Sequence, residues 1–254
     1  MLTAITHIPS PKLNHGELTF LTRQPIDFEK TRLQHVAYCD MLRKCSVEVV
    51  TLNENISLPD SAFVEDTAFV LDEIGLMMPM GVVSRSAETS VIERELSKFR
   101  KIKQIELPAK LEGGDILRVG KNIFVGITSR TNSLGIHNLK SIVKPYGYKV
   151  IGVKVHGCLH LKTGCTVLNK NTILINPIWI DTRPFETFNL ITVPEEEPFA
   201  ANILQIGKII CMHSGFPKTG KLIEKLGLKT EFTDISEFQK AEAGLTCLSI
   251  IFNV

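Results

Sequence analysis

The sequence predicts an α/β protein built as a closed ring of five similar units around a common axis. Three observations lead there. First, a short polar or small-residue signal followed by an apolar strand start occurs five times: Val64-Glu-Asp66, Gly113-Gly-Asp115, Lys162-Thr-Gly164, Ala200-Ala-Asn202 and Gly244-Leu-Thr246. From Asp66 to Asp115, Gly164, Asn202 and Thr246 the intervals are 49, 49, 38 and 44 residues, and periods of about 20–50 residues mark solenoids and propellers. Second, each signal is followed by a hairpin pattern, a helical stretch and a further strand. Third, the fifth unit runs out of chain at Val254, while a strand, helix and strand that would complete it lie at the other end. Pairing the N- and C-terminal segments closes the ring and removes exposed sheet edges. A generic α/β domain with coincidental spacing is the alternative.

Taken in order, residues 2–8 read as a strand, 27–43 as a helix and 47–52 as a strand. Unit one has strands over 67–71 and 74–78 around Asp72-Glu73, then a helix carrying Ile92, Leu96 and Phe99 at helical spacing. In unit two, strands on either side of Gly120-Lys-Asn122 form a hairpin. Ile136, Leu139, Ile142 and Val143 follow at helical spacing, Pro145 marks the stop, and a strand over 148–155 closes the unit. Unit three has strands over 165–168, 172–176 and 189–193 with a weak helix between the last two. Unit four has strands over 203–206 and 209–212, a helix from about 219 to 226, and a strand over 229–233. No linker or low-complexity tract interrupts the chain, so residues 1–254 are expected to form a single domain.

Composition excludes several function classes. A net charge of +2 over 254 residues gives no electrostatic case for nucleic acid or an anionic membrane surface. The most apolar patch, 74–83, is too short to span a bilayer and is broken by Gly75 and Pro79. The first residues lack the basic and apolar regions of a signal peptide. The six cysteines form no C-x-x-C pair and no dense framework, as expected of reduced thiols in a cytoplasmic protein.

In a ring of repeats, equivalent positions converge on the axis. Here they hold Glu65 and Asp66, Glu112 and Asp115, His160 and Cys247. Each alone has a bland reading as turn, cap or core residue; their shared phase makes them an active-site set. A thiolate could attack an electrophilic carbon while the histidine donates a proton to the leaving group and later activates water. Acidic neighbours raise a thiol's pKa, a cost that makes sense if the substrate is itself a cation. A guanidinium fits, because it is planar and matches carboxylates in bidentate geometry. Arg85 and Arg130 follow the second strands of units one and two and could hold a substrate carboxylate; ordinary surface arginines are the alternative.

Phe63-Val-Glu-Asp66, Leu111-Glu-Gly-Gly-Asp115, His160-Leu-Lys-Thr-Gly164 and Gly244-Leu-Thr-Cys247 resemble the motifs of the guanidino-group-modifying enzymes, and among them the dimethylarginine dimethylaminohydrolases. The resemblance runs through the whole chain, including Pro59-Asp-Ser61 and Pro194-Glu-Glu-Glu197. It implies the pentein fold, a five-bladed pseudo-symmetric α/β propeller of ββαβ units, and hydrolysis of N-methylated arginines to citrulline and a methylamine. It implies Cys247 as a nucleophile forming a covalent thiouronium-type adduct, His160 as general acid/base, and Asp66 and Glu112 as holders of the guanidinium, with Glu112 also near His160. Leu18, Asp60 and Glu65 match positions at the substrate's amino-acid end or pocket wall, and Arg85 and Arg130 match carboxylate contacts. It implies no cofactor and no metal, and a homodimer is left open. Arginine deiminases of the same superfamily carry an inserted module for which the chain has no room. Leu248 follows Cys247 where some animal relatives carry a second cysteine.

Two readings from other classes compete. Gly215-Phe-Pro-Lys-Thr-Gly220-Lys221 is close to a P-loop, but Leu222 replaces the hydroxyl residue that would bind Mg²⁺. His156, Cys158 and His160 alternate, so on an extended segment they would share a face with Cys165 nearby and could bind zinc.

Overall fold

The computed structural model describes residues 1–254. The N-terminal β1 (Leu2–His7) is buried along nearly its whole length, as suits a central strand of small and β-branched residues. Asp27 caps α1 (Phe28–Lys44) by accepting the Lys30 N–H at 3.0 Å, and β2 (Glu48–Leu52) follows. Unit one contains β3 (Ala68–Val70), β4 (Gly75–Met77), α2 (Thr89–Leu96) and β5 (Ile102–Gln104). Unit two contains β6 (Ile116–Val119), β7 (Asn122–Ile127), α3 (Ser133–Val143), capped by Asn132, and β8 (Lys149–Lys154). A single helical turn, α4 (Leu161–Gly164), opens unit three, followed by β9 (Cys165–Asn169), β10 (Thr172–Ile175) and β11 (Asn189–Thr192). Unit four contains β12 (Leu204–Ile206), β13 (Ile209–His213), α5 (Pro217–Lys225) and β14 (Lys229–Thr233). The short α6 (Ser236–Gln239) leads to β15 (Ile250–Asn253).

These strands form five three-stranded sheets of one topology: β3-β4-β5, β6-β7-β8, β9-β10-β11, β12-β13-β14 and β15-β1-β2. In each, the first pair is antiparallel and the second parallel. The fifth sheet pairs Leu2 with Asn253 and Ile5 with Ile250, so the two ends of the chain close the ring. Gly120 (φ 60°) and Gly207 (φ 59°) open the two-residue loops of their hairpins. Positive φ at the first loop position is the type II′ requirement that glycine meets without strain.

The core sits between blades. Five apolar clusters fill the five junctions, for example Ile5, Val64 and Ile250 between units five and one, and Leu168, Ile203 and Ile210 between units three and four. Near the axis every neighbouring pair of units is also joined by a polar contact. Asp66 Oδ1 accepts from Gly114 N–H at 3.1 Å, Asp115 Oδ1 from Leu161 N–H at 3.0 Å, and Asn202 Oδ1 from Thr246 N–H at 3.1 Å. The Thr166 hydroxyl donates to Ala201 C=O, and the Thr246 hydroxyl to Glu65 at 2.6 Å. In four units the residue that ends the repeated signal, Asp66, Asp115, Asn202 or Thr246, thus makes a tie to a neighbouring blade, and in unit three Thr166, two residues past the signal, makes it; the whole is a five-bladed α/β propeller.

Several expected boundaries shift. Residues Thr246–Leu248 form a 3₁₀ turn and the last strand begins at Ile250, so Cys247 precedes the strand instead of opening it. The weak helix of unit three is only a 3₁₀ turn, Arg183–Phe185. Phe185 and Phe188 there pack on Phe124, with ring centroids 4.5 and 5.8 Å away, and cover the blade in place of a helix. Phe99 lies beyond the end of α2. No helix is long and apolar enough to cross a membrane.

Candidate active site

At the axis, the 3₁₀ turns of units one, two and five meet α4, bringing four of the five signals together. The two glycines of Gly113-Gly-Asp115 are needed for this approach. A Cβ on Gly113 would lie 1.9 Å from Glu65 C=O, and one on Gly114 would lie 2.5 Å from His160 Nδ1. Into that junction project Asp66, Glu112 and His160, all buried, and the half-buried Cys247.

His160 Nε2 lies 2.7 Å from Glu112 Oε2, and its Nδ1 lies 3.8 Å from Asp66 Oδ1. Burial opposes a charge on this imidazole, but Asp66, Asp115 and Glu112 outweigh it and push its pKa up to about 9. Burial acts on Asp66 too, yet His160, Arg85 and the Gly114 N–H hold its carboxyl down at about 2. Glu112 is held low in the same way by its bond to His160. The Cys247 Sγ accepts the Gly244 N–H at 3.4 Å. Burial, reinforced by Glu65 and Asp66, pushes the thiol far up. The resting site therefore pairs a neutral thiol with a protonated imidazole.

A narrow cleft leads to these groups. Its walls include Glu17, Asp60, Asp66 and Glu242, Arg85 and Arg130, and Phe63, Leu159, His160 and Cys247. Asp60, expected at the substrate's amino-acid end, lines it and accepts the Glu17 N–H at 3.1 Å. Arg85 and Arg130 both reach the cleft, but neither is a surface arginine. Arg85 is 4% exposed and donates to Asp66 at 2.7 Å, to Glu88 at 2.9 Å and to Phe63 C=O at 3.0 Å. Arg130 makes longer contacts, 3.4 Å to Glu112 and 3.3 Å to the Thr19 hydroxyl.

Two further expected residues adjoin cleft-lining neighbours. Leu18 is half-buried next to Glu17, which lines the cleft. The Glu65 carboxylate accepts the Thr246 hydroxyl and the Lys162 ammonium, so it braces the turn that carries Cys247. The competing readings also meet obstacles. Glu197 accepts the N–H groups of Lys218 and Thr219, each at 2.8 Å, and occupies the start of α5 where a P-loop would hold phosphate. The alternation of His156, Cys158 and His160 is broken by Gly157 (φ 67°), leaving His156 exposed and Cys158 buried, its thiol donating to His160 C=O. Asp66, Glu112 and His160 do place three donor atoms within 4.8 Å of one another. Their ion pairs with one another and with the two arginines account for that closeness.

Sequence reading missed Lys162, Asn202, Glu17 and Glu242. Asn202 sits in the repeat phase and was open to discovery there; it accepts Thr246 N–H and donates to Lys162 C=O at 2.8 Å. Glu242 carries no local signal, yet it lines the cleft and accepts backbone N–H groups of Thr19, Phe20 and Leu21, which fastens that segment to the turn before Cys247. A larger cavity of about 280 Å³ lies on the far side of residues 242–245 and is lined by none of Asp66, His160 or Cys247.

The profile of a family described as N,N dimethylarginine dimethylhydrolase, eukaryotic, matches residues 19–213. The chain is 34% identical to the N(G),N(G)-dimethylarginine dimethylaminohydrolase of Pseudomonas aeruginosa, over 98% of both chains. It is 34% identical to that of Streptomyces coelicolor, over 97% of this chain and 95% of the other. The solved structure of a cysteine-to-serine mutant of the Pseudomonas aeruginosa enzyme, complexed with citrulline, matches with a TM-score of 0.94 at 33% identity and 98% coverage of both chains. With a family profile over residues 19–213, 34% identity over 98% of the chain and a shared fold, the protein belongs to the dimethylarginine dimethylaminohydrolase family.

Proposed function

We propose that this protein hydrolyses the substituted guanidinium of an N-methylated L-arginine, giving citrulline and methylamine or dimethylamine. The observation that carries the reading is the half-buried Cys247 thiol in one cleft with the imidazolium of His160 and the carboxylate of Asp66, while Glu112, fully buried, holds His160 from behind. A cationic substrate entering this cleft supplies the positive charge that the half-buried thiol lacks, so the thiol releases its proton to solvent as the substrate binds. Asp66 orients the guanidinium, and the Cys247 thiolate adds to its central carbon. His160, protonated at neutral pH, gives its proton to the departing amine and leaves a thiouronium on Cys247. The now neutral imidazole removes a proton from water as the water adds to that carbon. Collapse breaks the C–S bond, and the departing sulfur takes the remaining hydroxyl proton, which restores the neutral thiol and leaves the ureido group of citrulline.

Arg130, with only long contacts, is the freer of the two cleft arginines to meet the substrate α-carboxylate; Arg85 supports Asp66 and contributes charge. We assign the reaction to one catalytic domain spanning residues 1–254 and the protein to a reducing compartment such as the cytoplasm. Six free cysteines support the latter, including Cys45 and Cys211 with sulfurs 3.7 Å apart and unbonded.

The test is product analysis by mass spectrometry with asymmetric dimethylarginine, arginine and agmatine in parallel. Citrulline and dimethylamine from the first, with a trapped adduct on Cys247, is the expected result. Turnover of arginine or agmatine in preference would keep the chemistry and refute the substrate.

A further inference from the structure

Asp115 touches none of the reacting atoms in the proposed reaction, yet it is wholly buried and connected to three residues that do face the cleft or the imidazole. Its Oδ1 accepts the N–H of Leu161, the residue after His160, at 3.0 Å. Its Oδ2 accepts the hydroxyls of Thr131 at 2.6 Å and Thr128 at 2.7 Å. Those hydroxyls in turn accept the backbone N–H of Glu112 at 3.4 Å and of Arg130 at 3.1 Å. One carboxylate thus fixes the main chain beside the imidazole, its hydrogen-bond partner and a cleft arginine. Close packing leaves it no freedom, since a Cβ on Gly126 would lie 2.4 Å from Oδ1.

Asp115 makes no ion pair, and a buried carboxylate without a cation carries a desolvation cost. Burial accordingly pushes its own pKa up. An asparagine is close in shape and keeps the Leu161 N–H bond, but its NH2 would face two hydroxyls that then have no acceptor for their own protons. Aspartate therefore adds both the second acceptor and a fixed charge. We infer that Asp115 is a positioning residue for His160, holding the imidazole in place through the Leu161 peptide and supplying a negative charge behind it. The other charged or titratable groups facing His160 are Asp66 with Arg85 from unit one, Glu112 and Arg130 from unit two, and Cys247 from unit five. Asp66, Asp115 and Glu112 together outweigh burial at the imidazole. The inference rests on the role of His160 as proton donor in the proposed function, but its test does not depend on turnover.

The experiment is an NMR titration of the His160 imidazole in the full chain carrying Cys247→Ser, with and without Asp115→Asn. It is accompanied by pH–rate profiles of the same Asp115→Asn change in the active protein. The His160 midpoint is expected to fall by about one pH unit in Asp115→Asn, with the alkaline limb of kcat moving down equally and KM changing less than about threefold. Asp115→Ala, which also breaks the hydrogen bonds, is expected to lower kcat at every pH. A folded Asp115→Asn protein with an unmoved His160 midpoint overturns the inference. So does a His160 midpoint at or below its ordinary value in the Cys247→Ser chain, which needs no change at Asp115. A shifted midpoint in a protein that turns over no guanidino substrate would uphold the role of Asp115 and refute only the hydrolase reading.

Discussion

Asn202→Ala removes one side chain that holds the nucleophile's turn from a neighbouring blade. The amide makes three bonds: Oδ1 accepts Thr246 N–H at 3.1 Å, and Nδ2 donates to Lys162 C=O at 2.8 Å and to the Thr246 hydroxyl at 3.0 Å. Each bond contributes about 1 kcal/mol net, and a buried group left without a partner costs about 1–3 kcal/mol. The Thr246 N–H and Lys162 C=O would be left in that state, so the expected loss of stability is about 3 kcal/mol. The methyl of alanine would also leave room beside Gly244, where a Cβ would now meet the Asn202 amide at 2.3 Å. With that support gone the turn at Thr246–Leu248 can move, and a displacement of about 1 Å at a reacting atom costs roughly 10²-fold in rate. The assay pairs urea denaturation with steady-state turnover of asymmetric dimethylarginine. The expected pattern is a fall in kcat with KM little changed, because Asn202 does not line the narrow cleft. Asn202→Asp keeps the volume but faces an oxygen to Lys162 C=O and adds charge near Glu65, so it should also lower kcat. An Asn202→Ala protein with kcat within about threefold of wild type would refute the idea that inter-blade bonds set the thiol's position.

Other predictions are simpler. Cys247→Ser, nearly isosteric, should abolish turnover with the fold unchanged, and His160→Gly should abolish it in a folded but less stable protein, because buried Asp66 and Glu112 lose their partner; activity in both would mean the chemistry lies elsewhere. The His160 imidazole has a folded pKa near 9 against 6.5 for the free side chain. Its stabilising effect is complete below pH 6.5 and is lost as pH rises through about 9. The gap in urea stability between wild type and His160→Gln should therefore shrink by on the order of 3 kcal/mol between pH 6 and pH 10. This energy is shared with Asp66 and Glu112, and parallel pH curves for the two proteins would contradict it. Gly113→Ala places a methyl carbon 1.9 Å from Glu65 C=O, so it should cost several kcal/mol or prevent folding. A melting temperature unchanged from wild type would show that the axial turns are not packed as described.

Much of this site was legible before any coordinates. Cys247, His160, Glu112 and Asp66 were singled out because they share a phase in a repeat, and they do meet on the axis. The same logic extends to Asn202 and Asp115, whose side chains make equivalent bonds to the following blade. Leu18 is matched by resemblance alone, and its neighbour Glu17 lines the cleft. In an irregular segment, no periodicity tells which of two neighbours faces inward. The weak helix of unit three was overestimated because the aromatic pair Phe185 and Phe188 covers the sheet without one.

The ring is written in short stretches of sequence: five signals, their hairpins, and the split unit whose strands join the chain ends. Those features are local patterns of turn residues and apolar alternation, which act over a few residues and can be read without knowing their neighbours in space. Where each charge points depends on the folded ring. Glu65 and Asp66 are adjacent in sequence, yet one braces the Cys247 turn and the other lines the cleft beside His160. Arg85 is engaged by Asp66 and Glu88, whereas Arg130 makes only long contacts. The reason is that buried charges are oriented by partners from other blades, and those partners come together only when the ring closes.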